Sequence, residues 1–255
     1  MAVHERLKAE LGAALAGAGG PLSAADRLCH ACVRLLDVDG AAVSLTHEGA
    51  SQGTFGSSSG LSRRLDEFQF TYGEGPCLDA VSSGLPVLVG DFGSPDEQRW
   101  PAFGRAVLDA GVRAVFALPV TIARSPVGAL DLFSRRPGPM SADGLEGGLW
   151  AAELAALPLL DLMASDIDWM AAAEGGDGWD QLASLERVEV YQATGMIIGE
   201  LDVDAAEALV RLRAYAFARG LTASEAAWEI VERRVMLSDI ESFRTPADGG
   251  GDGAS

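Results

Sequence analysis

Apolar and polar positions divide the chain into a mixed first part and a helical second part. Ala25, Leu28, Cys29, Cys32 and Leu36 recur at helical spacing, and Ser23 with Asp26 three positions on resembles a capping box at the helix start. A shorter helix is predicted over residues 3–15, closed by Gly17, Gly19 and Gly20. Asp39-Gly40 marks a turn, after which Ala41, Val43 and Leu45 alternate with Ala42, Ser44 and Thr46 as in a half-buried strand. Residues 51–62 read as loop or hairpin, residues 65–72 as a strand, and Val87–Val89 as a short strand after a Gly84–Pro86 turn.

The strongest sheet signal is a pair of β-rich runs, 112–122 and 127–134, separated by residues 123–126, which predicts an antiparallel hairpin. In the second run Val127, Ala129, Asp131 and Phe133 share one face, and Leu130 and Leu132 the other. A long apolar helix is predicted over residues 141–163, kinked at Pro158. Strands lying between helices without βαβ alternation indicate an α+β fold, an antiparallel sheet flanked by helices.

Residues 165–180 are acidic and Gly-rich and mark a linker, beyond which the pattern is helical only. One helix is predicted over residues 182–200. Asp204 with Glu207 opens a second that ends near Gly220, and Thr222 with Glu225 opens a third that reaches about Leu237. Their apolar stripes are Ala208, Leu209, Leu212 and Ala216, then Ala227, Ile230, Val231 and Val235. So small a bundle has a marginal core of its own, which favours dimerisation or docking on the larger domain. The expected organisation is an extension (1–20), a mixed domain (21–164), the linker (165–180), a helical domain (181–237) and a disordered tail (238–255).

Composition narrows the function. With 48% apolar and 22% charged residues the chain is globular, and its net charge of −18 argues against passive binding to DNA or to anionic membranes. No apolar run reaches the roughly 18 to 20 residues of a spanning helix, and His4, Glu5, Arg6, Lys8 and Glu10 interrupt any signal-peptide core. Three cysteines suit a reducing compartment, so a cytoplasmic protein without a membrane partner is expected.

Seven short stretches then become specific. Residues 190–196 (VYQATGM), 207–213 (EALVRLR) and 216–219 (AFAR), with 230–234 (IVERR), resemble the ANTAR domain, the three-helix RNA-binding module of bacterial transcription antitermination regulators. Residues 70–77 (FTYGEGPC), 99–101 (RWP) and 111–119 (GVRAVFALP) resemble GAF domains, more narrowly those that actinobacteria fuse to ANTAR. The resemblance implies a cytoplasmic, dimeric signal-transduction protein in which a GAF sensor controls an ANTAR output that binds stem-loops in nascent mRNA and prevents a terminator from forming. It implies a homodimer, a possible small-molecule ligand of the GAF half, and RNA contacts by Gln192, Ala193, Thr194, Gly195, Arg211, Arg213, Tyr215 and Arg219.

The chemistry of these residues bears on that expectation. RNA loops are held by stacking on aromatic or guanidinium planes and by cations on phosphates. Arg211, Tyr215 and Arg219 follow one another at four-residue spacing, so all three are expected on one exposed helix face. Gly195 and Gly199 each cost a helix about 1 kcal/mol relative to Ala, which close approach of another helix or of RNA would explain. Two features depart from the family: Thr194 stands where Lys is frequent, and residues 181–245 hold 7 basic against 11 acidic side chains. Weak counterion release leaves local geometry to carry RNA binding. The alternative reading is a ligand- or redox-sensing protein-interaction module.

Cys29-His-Ala-Cys32 has CxxC spacing but continues an apolar helical stripe, so core packing is its expected role. Cys77 follows Pro76 at a predicted helix start and is open to either burial or reactivity. GAF folds include a reductase of free methionine sulfoxide that uses cysteines, which keeps a thiol enzyme as a third option. No HExxH, nucleophile elbow, Walker or dinucleotide glycine pattern occurs, so catalysis, a cofactor and a metal are not expected. Phe70, Tyr72, Cys77, Trp100, Phe116 and Phe133 are the candidate lining of a GAF pocket.

Overall fold

The computed structural model describes residues 2–47, 50–164, 187–236 and 240, and the chain divides into two compact units, Met1–Arg187 and Val188–Ser255. The predicted linker 165–180 and most of the predicted tail lie outside the described residues.

The first unit is a five-stranded antiparallel sheet with helices on both faces. The strands are β1 (Gly40–His47), β2 (Ala50–Ser57), β3 (Val87–Val89), β4 (Ala114–Ile122) and β5 (Ser125–Ser134), in the order β2-β1-β5-β4-β3. The expected hairpin is β4–β5, with Phe116 opposite Leu132 and Ala117 opposite Asp131. Helices α1 (Ala2–Leu15), α2 (Pro21–Leu35) and α6 (Ala142–Ala164) cover one face. Leu28, Cys29, Cys32, Val43, Phe116, Leu118, Leu130, Leu132 and Ala155 form the core there. Helix α6 continues through Pro158. Val127, near the turn of the hairpin where the register shifts between Val120 and Thr121, packs with this layer and not with Ala129 and Asp131 as predicted.

Helix α2 begins two residues before the predicted capping box. Pro21 occupies the first turn after Gly20, and Asp26 Oδ1 accepts a hydrogen bond from the Ser57 amide at 2.7 Å instead of serving its own helix. The opposite sheet face carries α3 (Gly60–Tyr72), α4 (Pro76–Ser83) and α5 (Pro101–Asp109). Residues 65–72 are therefore helix, not the predicted strand. Ser59 starts α3 by accepting from the Ser62 amide at 3.1 Å, and Leu65 and Phe68 then reach the core beside Phe103, Val115 and Phe133. Burial of this face outweighs the β preference of Phe68, Phe70 and Tyr72.

The second unit contains α7 (Val188–Leu201), α8 (Ala205–Arg219) and α9 (Ala223–Val231). Asp204 accepts from the Glu207 amide at 2.8 Å, and Thr222 with Glu225 forms a reciprocal capping box. The third helix is shorter than predicted and stops at Val231. Buried side chains in α8 are Ala208, Arg211, Leu212, Tyr215 and Ala216, the i, i+3, i+4, i+7, i+8 pattern of a packed stripe. Among the described residues no helix is long and apolar enough to cross a membrane.

Candidate functional site

The segment from Tyr72 to Cys77 joins α3 to α4, and each residue has an assigned task. Gly73 closes α3 in the left-handed conformation at φ 66°. Glu74 Oε1 accepts from the amides of Ala102 and Phe103 at 2.7 and 3.0 Å, capping α5, whose N-cap residue Trp100 supplies no side-chain bond. Gly75 has φ 148°, and a Cβ there would fall 2.3 Å from Gln69 Oε1. Pro76 takes the first turn of α4 and delivers Cys77 against the sheet. Glu74 is thus a helix cap linking two elements.

Cys77 enters a buried polar cluster. The atoms Asp66, Cys77 and Asp131 offer as ligands all lie within 4.8 Å of one another, and the three residues are at most 1% exposed. They come from α3, α4 and β5. Gln69 ties these elements together: its Nε2 donates to Asp131 Oδ2 at 2.5 Å while its Oε1 accepts from the Cys77 amide at 2.8 Å. Thr54 Oγ1 donates to Asp66 Oδ2 at 2.5 Å, and Ser44 Oγ hydrogen-bonds Cys77 Sγ at 2.9 Å. The second oxygen of each carboxylate, Asp66 Oδ1 and Asp131 Oδ1, is buried without a hydrogen-bond partner. Arg187, also buried, places its guanidinium 4.0 Å from the centre of the Phe70 ring.

Burial sets the electrostatics. Desolvation pushes the Asp66 carboxyl up, opposed by the charge of Arg187 and by the bond from Thr54. Burial raises Asp131 well above the carboxylate range, Asp66's charge adds to this, and Gln69 opposes it. The Cys77 thiol is raised well above its ordinary value by burial, then by Asp131 and Asp66, so in this state it is no nucleophile. Cys29 and Cys32 are buried on the other sheet face, where burial pushes the Cys32 thiol up to about 12.

The family model for the GAF domain matches residues 22–149, which is half of the chain. This chain belongs to the GAF family. Its first unit is similar to the GAF domain of an Acinetobacter phosphoenolpyruvate-protein phosphotransferase, at 13% identity and TM-score 0.46 over 65% of this chain and 96% of that one. It is similar to a GAF region of a Geobacter sulfurreducens membrane protein at 19% identity and TM-score 0.44, covering 53% and 91%. It is also similar to fRMsr of Staphylococcus aureus in its reduced form at 12% identity and TM-score 0.45, covering 61% and 94%. No curated protein matches the chain.

Within the GAF domain the expected pocket residues separate. Cys77 is in the cluster and Phe70 is linked to it through Arg187. Trp100 and Phe133 belong to the apolar core of the same layer, where Trp100 packs against Phe92 and carries Arg99 over its ring, and Tyr72 stacks on Phe68 at the edge of that core. Phe116 does not line this side. It points into the α1–α2–α6 layer, because the strand alternation places Val115 and Ala117 towards the cluster. Asp66, Gln69, Asp131 and Arg187 were not anticipated. The one available signal was a carboxylate inside the apolar run Ala129–Phe133, a position that requires a partner. An open surface hollow of about 610 Å³, lined by Leu88, Asp91, Asp96, Glu97 and Pro139, lies away from these groups. Burial and unpaired oxygens make the cluster the better candidate.

In the second unit the expected RNA contacts also separate. Gln192 and Gly195 are exposed, Thr194 is half-buried with its hydroxyl donating to the Val190 carbonyl at 2.7 Å, and Ala193 is fully buried. Arg211 does not share an exposed face with Arg219. It is 6% exposed, and its Nε donates to Glu207 Oε1 at 3.0 Å, with Nη2 donating to the same oxygen. Tyr215 is buried at 1%, and its hydroxyl donates to Glu229 at 2.9 Å. Arg213 is half-buried, and Arg219 is exposed with its guanidinium 5.1 Å from the Tyr215 ring. The four-residue spacing is real, but it lies on the packed stripe of α8.

Proposed function

We propose that the chain is a signal-transducing regulator whose GAF domain binds a small ligand at the buried cluster and whose C-terminal unit binds stem-loop RNA in nascent transcripts, opposing termination. It acts as a homodimer in the cytoplasm and has a binding role, not a catalytic one. The ANTAR resemblance of the three capped helices motivates the RNA reading. The observation that carries it is the exposed face of α7: a Cβ at Gly195 or Gly199 would meet nothing within 4 Å, beside exposed Tyr191 and Gln192. Two helix-weakening glycines with open space around them suit a surface that a partner approaches closely. Arg211 and Tyr215 then act as internal supports, and the contact set contracts to Gln192, Thr194, Gly195, Arg213 and Arg219.

The test is filter binding of the full-length protein to a double stem-loop RNA and to a scrambled control, with the dimer followed by light scattering. Selective binding weakened by Arg213→Ala with Arg219→Ala, with a shallower salt dependence, supports the proposal. Equal affinity for both RNAs, or no change in the double variant, overturns it. A second reading has its own observation. Tyr191 (62%), Phe217 (57%), Trp228 (49%) and Met236 (72%) are exposed apolar side chains on this small unit, as a protein-interaction module would carry. Absence of RNA binding together with loss of dimer or partner contact in Trp228→Ala selects that reading.

A further inference from the structure

We propose that Asp66, Cys77 and Asp131 bind one divalent first-row transition-metal ion of the zinc and ferrous class, and that this ion is the ligand through which the GAF domain senses. The inference deepens the sensor half of the proposed function and rests on that half alone; RNA binding is not needed for it.

Geometry carries the argument. One atom of each residue lies within 4.8 Å of the other two. A tetrahedral ion with bonds of about 2.0–2.3 Å needs its ligand atoms about 3.4–3.7 Å apart, so closure requires movements of about 1 Å, within reach of side-chain rotation. The ligands come from α3, α4 and β5, and Gln69 and Thr54 already fix them by holding one oxygen of each carboxylate. The other oxygen of each, Asp66 Oδ1 and Asp131 Oδ1, is fully buried and has no partner. That division is how metal-binding carboxylates are oriented: one oxygen to a neighbour that sets the plane, the other to the ion. An unpaired buried carboxylate oxygen is otherwise destabilising, and the arrangement occurs twice in one place.

Charge and ligand type select the ion. Metal binding releases the protons that burial retains, and the two carboxylates and the thiolate so formed carry three negative charges in a dry interior. A divalent cation together with the nearby Arg187 guanidinium neutralises them. A thiolate beside carboxylates disfavours magnesium and calcium and suits zinc or ferrous iron. Three protein ligands leave a fourth position for water or a small exogenous molecule, which is the arrangement of a responsive site and not of a closed structural one.

The experiment uses the full-length protein freed of metal by a chelator, titrated with Zn²⁺, Co²⁺ and Mg²⁺. The expected result is one Zn²⁺ or Co²⁺ per chain and no Mg²⁺, a thiolate-to-cobalt charge-transfer band, and zinc-edge X-ray absorption showing one sulfur with oxygen neighbours. Cys77→Ser removes the band, Asp131→Asn and Asp66→Asn lower affinity at least tenfold, and Gln69→Leu lowers it about 10–100-fold. Cys32→Ser leaves all of this unchanged. No binding by the wild type, two sulfurs in the absorption spectrum, or a cobalt band that survives Cys77→Ser and disappears in Cys32→Ser overturns the proposal. The wild-type spectra decide the case even where a variant does not fold. Metal binding without RNA binding, or the reverse, separates this proposal from the output reading.

Discussion

Asp131→Asn perturbs one atom group at the centre of the cluster and should stabilise the metal-free protein. In the wild type Asp131 Oδ2 is held by Gln69, while Oδ1 is buried without a hydrogen-bond partner, in a cluster that also holds Asp66. Asparagine keeps the acceptor for Gln69, cannot ionise beside Asp66 and turns the orphan oxygen into a donor. Relief of one unsatisfied buried group is worth about 1–3 kcal/mol. At about 2–4 °C of Tm per kcal/mol for a domain of this size, a gain near 2 kcal/mol appears as roughly 4–8 °C. The pH dependence has a definite sign. Burial, and then Asp66, raise the folded-state value of Asp131, so the folded protein retains a proton that the unfolded chain releases. The contribution of Asp131 to stability is full below its ordinary value near 4 and is lost as pH rises through the raised one. Asparagine does not titrate, so the advantage of the variant grows with pH over that window. Calorimetry in chelator across pH measures this directly. With zinc at about 100 times the wild-type Kd the wild type gains about 2.7 kcal/mol and a variant of tenfold weaker affinity about 1.4 kcal/mol, so zinc narrows the advantage of the variant by about 1.3 kcal/mol. A variant less stable than the wild type in chelator at neutral pH, or an advantage independent of pH, refutes the reasoning.

Gly195→Ala and Gly199→Ala each place a methyl in open space, so each should stabilise α7 by about 1 kcal/mol in thermal melts while weakening any partner that approaches that face. Gly128→Ala should destabilise by about 3 kcal/mol or more in denaturant titrations, because its Cβ would fall 2.0 Å from the Ser44 carbonyl oxygen across the β1–β5 pair. Cys29, Cys32 and Cys77 should resist a thiol reagent at pH 8 in the native protein and react when it is unfolded, since all three are buried and burial raises each thiol. Glu74→Ala should cost about 1 kcal/mol by uncapping α5, measured by thermal unfolding.

How far the sequence discloses this molecule depends on whether the informative contact is local. The β4–β5 hairpin and the caps at Asp204 and Thr222 rest on residues a few positions apart, and they are where the pattern placed them. Helix α3 failed that test. Phe68, Phe70 and Tyr72 favour a strand, and the features that decide for helix are the Ser59 cap and a face buried against a sheet assembled from distant strands. Misreading α3 hid the site, because Asp66 and Gln69 share a helix face only once that stretch is helical. The same limit explains Arg211 and Tyr215. Four-residue spacing establishes that two side chains share a face, but which face is set by Ala208, Leu212 and Ala216, the apolar neighbours that complete the stripe. Polar residues on a packed stripe and a carboxylate in an apolar strand are the same kind of signal: each breaks the local rule, and each requires a partner. Arg211 found that partner in Glu207 and Tyr215 in Glu229. Asp66 and Asp131 each found only half of one, which is why the metal-binding inference rests on them and not on the arginines.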